Sequence, residues 1–336
     1  MNIAVVVSGG LSETILATPL LSTLRADSEE SRLVLLCPWA AAVVADGLTG
    51  MDEIVPLKAL SGRVGVGGIP RIWSELRRRR LDAVLLCSTE LGVAVAAYFS
   101  ATAQRIGPMA GAGRILLTGG SAPLAAENIA QTWLRLAAAL GVLSELHRPA
   151  FEPGPDAREL ADSLLNSSPL ADGRLLIAIA PGMGSADPGS DGERWEPERY
   201  AHLANQLALR HGAGIVLIGV AADRVVIEET RLDLSAPVVD VAGATDAVTI
   251  AAVLARCDLL IGGDTPLLHL AAAVGTPTVG LFGATDGLRF GPYGADHRVV
   301  QALAHSTVGG ASAGTIPAAM DQIRVEDVLA SIESTV

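Results

Sequence analysis

The feature that most constrains the fold is a strand–loop–helix–strand run at residues 259–283. An apolar strand at residues 259–261 passes through two glycines into an Asp-Thr pair, and an alanine-rich helix and a second strand follow at once. Two strands joined by a helix pair in parallel within one sheet. The loop gathers backbone amides, a hydroxyl and a carboxylate at a helix N-terminus, where α/β proteins bind phosphorylated ligands.

Strand-like apolar runs alternate with helix-like segments along the whole chain, which predicts parallel α/β sheets. In the first half we predict strands at residues 3–7, 32–36, 53–55, 83–86 and 105–106, and helices at 14–26, 69–80 and 125–140. Residues 147–155 hold three prolines and a glycine and form a linker. Beyond it we predict strands at 175–180, 214–218, 237–240, 259–261 and 278–281, and helices at 156–165, 198–210, 223–232, 246–255, 267–273 and 325–334.

This alternation predicts two Rossmann-like, doubly wound α/β domains that face each other across a cleft. The N-terminal domain is expected at residues 1–150 and the C-terminal domain at 156–316. Residues 317–336 supply a C-terminal helix that could pack back on the N-terminal domain.

The charge and composition of the chain limit the classes of molecule that it is expected to bind. The net charge of −12 argues against nucleic acid and disfavours peripheral contact with an anionic membrane. Four arginines at residues 77–80 are interpreted as a solvated helix end. We predict no transmembrane helix, because no apolar run is long enough, and we expect no signal peptide before the first strand. Cys37, Cys87 and Cys257 lie in apolar runs, which favours reduced thiols and a cytoplasmic location.

Three motifs together resemble one family. They are Ser8-Gly9-Gly10-Leu11-Ser12-Glu13, then Ala180-Pro181-Gly182-Met183 with Glu193-Arg194-Trp195, and the block from Asp264 to Gly283. Over nearly the full chain they resemble the heptosyltransferases of glycosyltransferase family 9, which build the inner core of lipopolysaccharide. The resemblance implies a GT-B fold, a nucleotide-sugar co-substrate such as ADP-heptose, and inversion at the anomeric carbon. It implies no metal and no other cofactor, with the acceptor on the N-terminal domain and the donor on the C-terminal domain.

Two residues are candidates for catalysis. The family carries Gly-Asp where this chain has Ser12-Glu13, so the resemblance makes Glu13 the general base, one methylene farther from the backbone. A solvated acid in the first turn of a helix is the alternative. Gly9 and Gly10 open this acceptor-side loop for close ligand approach. The family lysine is replaced by Glu193, and the adjacent Arg194 could bind the leaving diphosphate or form a surface ion pair.

The donor residues also come from the resemblance. It assigns Asp264 and Thr265 to sugar hydroxyls and diphosphate, and it matches His269 to a family histidine, for which a purely structural role is equally open. Pro266 replaces a family glycine and removes one N–H, which could shift the diphosphate toward the amides of Leu267 and Leu268. The other expected donor contacts are Gly182, Met183, Ser185, Asp223 (at the ribose, or as a helix N-cap) and Thr245 (at the adenine).

The predicted function is inverting transfer of a heptose or related sugar from a nucleotide diphosphate, ADP-heptose first, to an acceptor hydroxyl. The negative charge favours a small saccharide or natural-product acceptor, such as an aminoglycoside-like antibiotic intermediate. One alternative is a lipopolysaccharide core heptosyltransferase. Another is a sugar-nucleotide-binding homologue without transfer activity, which the departures at Glu13, Glu193 and Pro266 motivate. A GT-B epimerase ranks last, because it needs more acid–base residues than we identify.

Overall fold

The computed structural model describes residues 1–143, 147–166, 170, 175–184, 194–243, 246–304, 316–317 and 320–333. The chain divides into two compact units, Met1–Glu152 and Pro153–Val336. The division falls within the proline-rich segment at residues 147–155.

The first unit is built on a six-stranded parallel sheet. Its strands are β1 (Asn2–Val7), β2 (Arg32–Pro38), β3 (Glu53–Leu57), β4 (Ala83–Cys87), β5 (Gln104–Pro108) and β6 (Gly119–Ser121). They lie in the order β3-β2-β1-β4-β5-β6, so the winding reverses between β1 and β4. The helices are α1 (Leu11–Leu16), α2 (Thr18–Asp27), α3 (Ile69–Arg77), α4 (Leu91–Phe99) and α5 (Ile129–Leu134).

The second unit repeats this strand order. Its strands are β7 (Leu176–Ala180), β8 (Gly214–Leu217), β9 (Val238–Asp240), β10 (Leu259–Gly263), β11 (Thr278–Phe282) and β12 (His297–Gln301), with a small antiparallel pair, β13 (Leu303–Ala304) and β14 (Ile316–Pro317). The parallel sheet runs β12-β11-β10-β7-β8-β9, and its winding reverses between β7 and β10. The helices are α6 (Pro155–Asn166), α7 (Pro197–His211), α8 (Arg224–Leu232), α9 (Ala247–Leu254), α10 (Pro266–Ala273), α11 (Gly287–Phe290) and α12 (Val325–Glu333).

The predicted α/β class with two parallel sheets is confirmed. Two predicted helices have different boundaries in the structure, each for a local reason. The helix predicted at 14–26 is two helices, because Pro19 has no N–H to bond the carbonyl of Ile15. The Thr18 hydroxyl donates to that carbonyl instead, at 2.7 Å. The helix predicted at 125–140 begins only at Ile129, where the Asn128 side chain accepts the Ala130 amide at 3.0 Å.

Further short turns of 3₁₀ helix occur at Trp39–Gly47, Lys58–Leu60, Ala112–Leu116, Arg135–Leu140, Ala221–Asp223 and Met320–Gln322. Six of the described strands and helices were not predicted: β6, β12, β13, β14, α4 and α11. β6 has no apolar side chain, β12 is half-buried, and β13, β14 and α11 are only two to four residues long. α4 contains β-branched and aromatic residues and has no start signal.

The C-terminal helix uses its apolar face inside the second unit. Val328, Leu329 and Ile332 are buried in a core that they share with β7, β8 and α7, and α12 packs on α7, β11 and β12. The apolar face of α12 is therefore part of the core of the second unit. Within the described ranges, no helix has both the length and the apolar character needed to span a bilayer.

Candidate active site

In the first unit, the candidate site lies at the carboxyl edge of the sheet, where the adjacent strands β1 and β4 end and the strand order reverses. Hydroxyls follow both strands, and the oxygens of Ser8 and Ser88 lie 2.6 Å apart. The loop after β1 is tied to the loop after β3: the Gly9 amide donates to Leu60, and the Gly9 carbonyl accepts from Gly62. Gly9 has φ +118°, a conformation that side chains rarely adopt. The acceptor-side glycines thus form a fixed loop.

Glu13 is turned back onto this loop. Its Oε2 accepts the Gly10 amide at 2.7 Å, which caps α1 from the third helical position. The φ of +118° favours glycine at position 9, and a Cβ there would also lie 2.8 Å from the Glu13 carboxyl carbon. The extra methylene of glutamate therefore does not carry the acid outward, because the chain curls over Gly9. No hydrogen bond to Oε1 is found among the residues that the structure describes.

In the second unit, the winding reverses between β7 and β10, and three loops meet at this edge. The Asp223 carboxylate, 3% exposed, accepts the Gly184 amide and the Val220 amide, both at 2.9 Å. A Cβ on Gly182 would lie 2.1 Å from the Asp223 carboxyl carbon. Asp223 thus joins the loop after β7 to the loop after β8, and the half-buried Met183 directly precedes its partner Gly184.

The loop after β10 leads into α10 with polar groups left unsatisfied. Thr265 is the N-cap, is 3% exposed, and its hydroxyl makes no hydrogen bond to any described residue. Pro266 occupies the first helical turn. The Leu268 amide bonds the Thr265 carbonyl at 3.1 Å, whereas no backbone partner of the Leu267 amide is found in the described ranges. Of the amides of Leu267 and Leu268, therefore, only that of Leu267 has no backbone partner among the described residues. Asp264, half-buried, precedes them.

His269 lies one turn into α10 and is buried, with 1% exposure. Burial, and secondarily the charge of His297, lower its pKa from 6.5 to about 4, so the ring is neutral at pH 7. Its Nδ1 is buried without a hydrogen-bond partner in the described part of the chain. The described residues thus provide no hydrogen bond to Nδ1 of this ring.

Arg194 is anchored beside the same edge. The adjoining Trp195 is fully buried, donates its indole N–H to Ile323 at 2.8 Å and packs edge-on against Tyr200. Burial raises the pKa of Tyr200, while the Gly263 amide and the positive charge of Arg194 oppose that rise. The guanidinium is therefore close to the residue that ends β10. Its Nε is buried and has no partner among the described residues, so no ion pair of this nitrogen is observed.

The predicted donor residues that the structure describes are thus gathered at one edge of the second sheet, and Glu13 lies at the matching edge of the first. Ser185, Glu193 and Thr245 lie outside the described residues. Sequence reasoning missed the Ser8–Ser88 pair, Tyr200 and His297. A serine directly after each of two predicted strands was the available signal for the first. No described group of three or more His, Cys, Asp or Glu residues is placed to hold a metal ion.

Comparison with known proteins now decides the family. The sequence profile of glycosyltransferase family 9 (heptosyltransferase) matches residues 69–308. The chain belongs to this family, and it is a glycosyltransferase. Lipopolysaccharide heptosyltransferase 2 of Salmonella typhimurium is 25% identical over 297 residues, covering 85% of this chain and 84% of the relative. The lipopolysaccharide core heptosyltransferase OpsX of Haemophilus influenzae is 23% identical over 263 residues, or 76% and 72%.

Solved structures agree on the fold of this family 9 glycosyltransferase. A glycosyl transferase family 9 structure from Veillonella parvula has a TM-score of 0.80 at 22% identity, covering 99% of this chain and 96% of that one. The Escherichia coli ADP-heptose lps heptosyltransferase II has a TM-score of 0.72 at 19% identity, covering 100% and 98%. The predicted GT-B fold is confirmed.

Proposed function

We propose that this glycosyltransferase moves a heptose, or a closely related sugar, from ADP-heptose to an acceptor hydroxyl with inversion. One observation carries the proposal: three buried polar atoms near the end of β10, in Arg194, Thr265 and His269, have no partner among the described residues. An unsatisfied buried polar atom costs about 1–3 kcal/mol. Three such atoms at the switch point of a Rossmann-like sheet are explained if a ligand rich in oxygen completes them.

A nucleotide diphosphate has the chemistry that these atoms need. The Thr265 hydroxyl can donate to a phosphate oxygen, and the Arg194 guanidinium offers forked N–H donors. The dipole of α10 favours negative charge at its N-terminus, where Leu267 supplies an amide. We assign the sugar hydroxyls to Asp264. The choice of ADP-heptose is supported by the name of the similar Escherichia coli structure.

The proposed reaction uses Glu13 as the base. Its carboxylate takes the proton of the acceptor hydroxyl as that oxygen bonds to the anomeric carbon. The bond from the anomeric carbon to the diphosphate oxygen breaks, and ADP leaves with the electron pair. Arg194, Thr265 and the α10 N-terminus stabilise the charge that develops on the leaving diphosphate. Attack on the face opposite to the leaving group inverts the anomeric centre.

For Asp223 we propose an indirect part in donor binding. Both carboxylate oxygens already hold backbone amides of two loops, and those loops flank the end of β7, where the ribose is expected. The acid then shapes the ribose pocket through Gly184 and Val220, and any direct ribose contact uses a second lone pair of the same oxygens.

The acceptor is proposed to be a saccharide hydroxyl, with lipopolysaccharide core sugar as the first substrate to assay. The names of the relatives support this choice. A small soluble saccharide is the second acceptor to assay. The net charge of −12 favoured such a small acceptor. Because the positive charge is concentrated at residues 58–80, however, the overall charge is a weak guide to the acceptor.

A thermal-shift panel tests the donor. ADP, ADP-heptose, GDP-mannose and UDP-glucose are added to the full chain, since a ligand at 100 times its Kd stabilises the folded state by about 2.7 kcal/mol. We expect ADP and ADP-heptose to raise the Tm, and transfer to be detected with a heptose acceptor. A shift with UDP-glucose alone would overturn the choice of donor. Binding of ADP-heptose without transfer or hydrolysis, with both acceptors, would indicate a binding protein instead.

A further inference from the structure

Two of the unsatisfied donors at the candidate active site come from distant parts of the chain. Arg194 lies just before α7, whereas Thr265 lies just after β10. A diphosphate can bind to both only when the distance between them is fixed, because binding groups act together only when they are held in position. A contact behind the site therefore has to hold the segment before α7 against the end of β10.

The segment that carries Arg194 is anchored through its neighbour Trp195. The Trp195 indole is fully buried and donates its N–H to the Ile323 carbonyl at 2.8 Å. Arg199, near the start of α7, donates to the same carbonyl at 2.7 Å. These two bonds fix the backbone beside Arg194, while the Nε of that arginine has no partner among the described residues. The backbone of the arginine is thus anchored, and its guanidinium needs a second contact.

The Tyr200 side chain reaches from α7 to the end of β10. It is 1% exposed, and its ring packs edge-on against Trp195 with the ring centroids 4.7 Å apart. A Cβ on Gly263, the last residue of β10, would lie 3.9 Å from the Tyr200 hydroxyl oxygen. Burial raises the pKa of Tyr200, and the Gly263 amide and the charge of Arg194 oppose this rise, so both groups lie near that oxygen. The hydroxyl is thus close to both segments.

The hydroxyl is the part of Tyr200 that packing alone does not explain. A phenylalanine would fill the same apolar space, whereas a buried hydroxyl costs free energy unless it makes hydrogen bonds. A phenolic oxygen can accept a hydrogen bond from the Gly263 amide and present its remaining lone pair to a guanidinium. Its partial negative charge therefore favours one position of Arg194, beside the residue from which the loop to Asp264 and Thr265 starts.

We propose that Tyr200 is a positioning residue for sugar transfer, whose hydroxyl holds Arg194 and the end of β10 at the separation that a diphosphate bridges. Because its side chain is buried, Tyr200 acts through Arg194 and does not touch the sugar. The inference rests on the proposed diphosphate site and deepens it, since it names a residue that sets the geometry of the donors. Loss of the hydroxyl should therefore weaken the contact to the terminal phosphate, and should affect the contact to the adenosine part much less.

Calorimetry of the full chain with ADP and with AMP tests this proposal. AMP lacks the terminal phosphate, so the ratio of the two Kd values reports the contact that Arg194 is proposed to make. Tyr200→Phe keeps the ring and its packing on Trp195 and removes only the hydroxyl. We expect this variant to lose about fivefold to tenfold in affinity for ADP, the value of one hydrogen bond, and less than about twofold for AMP. Both nucleotides are titrated into the same preparation, so an unfolded fraction affects both equally.

A double-mutant cycle with Arg194→Ala shows whether the hydroxyl acts through the arginine. In the Arg194→Ala background, Tyr200→Phe should change the affinity for ADP by less than about twofold, because the group that it positions is already absent. Turnover should follow the same pattern, with a fall of about tenfold in the single variant and almost no further fall in the double variant.

Thr230→Val is the matched control for the loss of a buried hydroxyl. Thr230 is fully buried in the same unit, and its hydroxyl donates to the Val226 carbonyl within α8 at 2.8 Å. Valine has nearly the same shape, so this variant loses one internal hydrogen bond, as Tyr200→Phe does. It should lower the Tm by a similar amount and leave the ratio of the two Kd values and the turnover unchanged.

The possible failures are distinguishable. An unchanged ratio of the two Kd values in Tyr200→Phe would overturn the role of Tyr200 and leave the diphosphate site intact. Additive losses in the double variant would do the same, because the hydroxyl would then act independently of Arg194. A wild-type protein that binds ADP no more tightly than AMP would instead overturn the diphosphate site, and the role of Tyr200 with it.

Discussion

The loop after β1 in the first unit and the loop after β10 in the second unit both connect a strand to a helix, but the polar groups of the two loops differ in their hydrogen bonding. After β1, the acid of the loop is satisfied within the loop, because Glu13 accepts the Gly10 amide and caps its own helix. After β10, the Thr265 hydroxyl at the helix N-cap has no described partner, and neither do the buried nitrogens of His269 and Arg194. Both sheets have the same strand order, so topology does not explain the difference.

In the proposed mechanism, this difference distinguishes a catalytic base after β1 from ligand-binding groups after β10. A base has to be held in one orientation, and a hydrogen bond to one carboxylate oxygen does this while the other oxygen stays available. A diphosphate site gains affinity when its donors are left unsatisfied in the free protein, because the ligand then relieves a desolvation cost that is already present. In the proposed mechanism, the loop after β1 is therefore preorganised by its own contacts, and the loop after β10 is stabilised when the diphosphate binds.

The largest effect is expected from Glu13→Gln. Glutamine can still accept the Gly10 amide and cap α1, so the fold and the affinity for ADP should be unchanged. The amide cannot take a proton, and turnover should fall by about 10²–10⁴-fold, the usual contribution of a general base. Steady-state transfer and ADP calorimetry measure the two quantities. Glu13→Asp is the control, because it keeps a carboxylate and should keep measurable turnover. Wild-type turnover in Glu13→Gln would leave Glu13 with capping alone.

Arg194→Ala should give the next largest effect, and it should separate binding from stability. Loss of a charged donor to the leaving diphosphate should lower kcat about 10²-fold and weaken ADP binding. Since Arg194 Nε has no described partner, the Tm of the free protein should change little. Arg79→Ala is the contrasting variant: Arg79 is buried against Glu53 and Glu75, and its loss should destabilise the first unit by about 2–3 kcal/mol. A large loss of Tm in Arg194→Ala would show that the arginine is structural.

The sequence predicted the loop after β10 better than the loop after β1 for a physical reason. The alternation of strands and helices placed the loop that holds Thr265 at the end of a strand, and the family resemblance assigned His269 and Asp223 to the same donor site. Neither reveals which oxygen accepts which amide. The curl of Glu13 over Gly9 depends on a φ of +118°, and the two roles of Asp223 depend on loops that come from different strands. Tyr200 and His297 were missed because their neighbours are distant in sequence, so no local motif contains them.

The smallest expected effect is on the pH dependence of stability, and it tests the buried ring of His269. Its folded pKa of about 4 lies below the ordinary 6.5, so the unfolded chain binds the proton first as the pH falls. The stabilisation from the neutral ring is thus complete above pH 6.5 and is lost as the pH falls toward 4, by about 3 kcal/mol in total. Urea unfolding at several pH values should show His269→Gln losing less stability than the wild type over this interval. His202→Gln, at an exposed position of α7, serves as the control. Parallel pH profiles for wild type and His269→Gln would show that the buried ring of His269 does not cause this loss of stability, and would remove His269 from the contrast between the two loops.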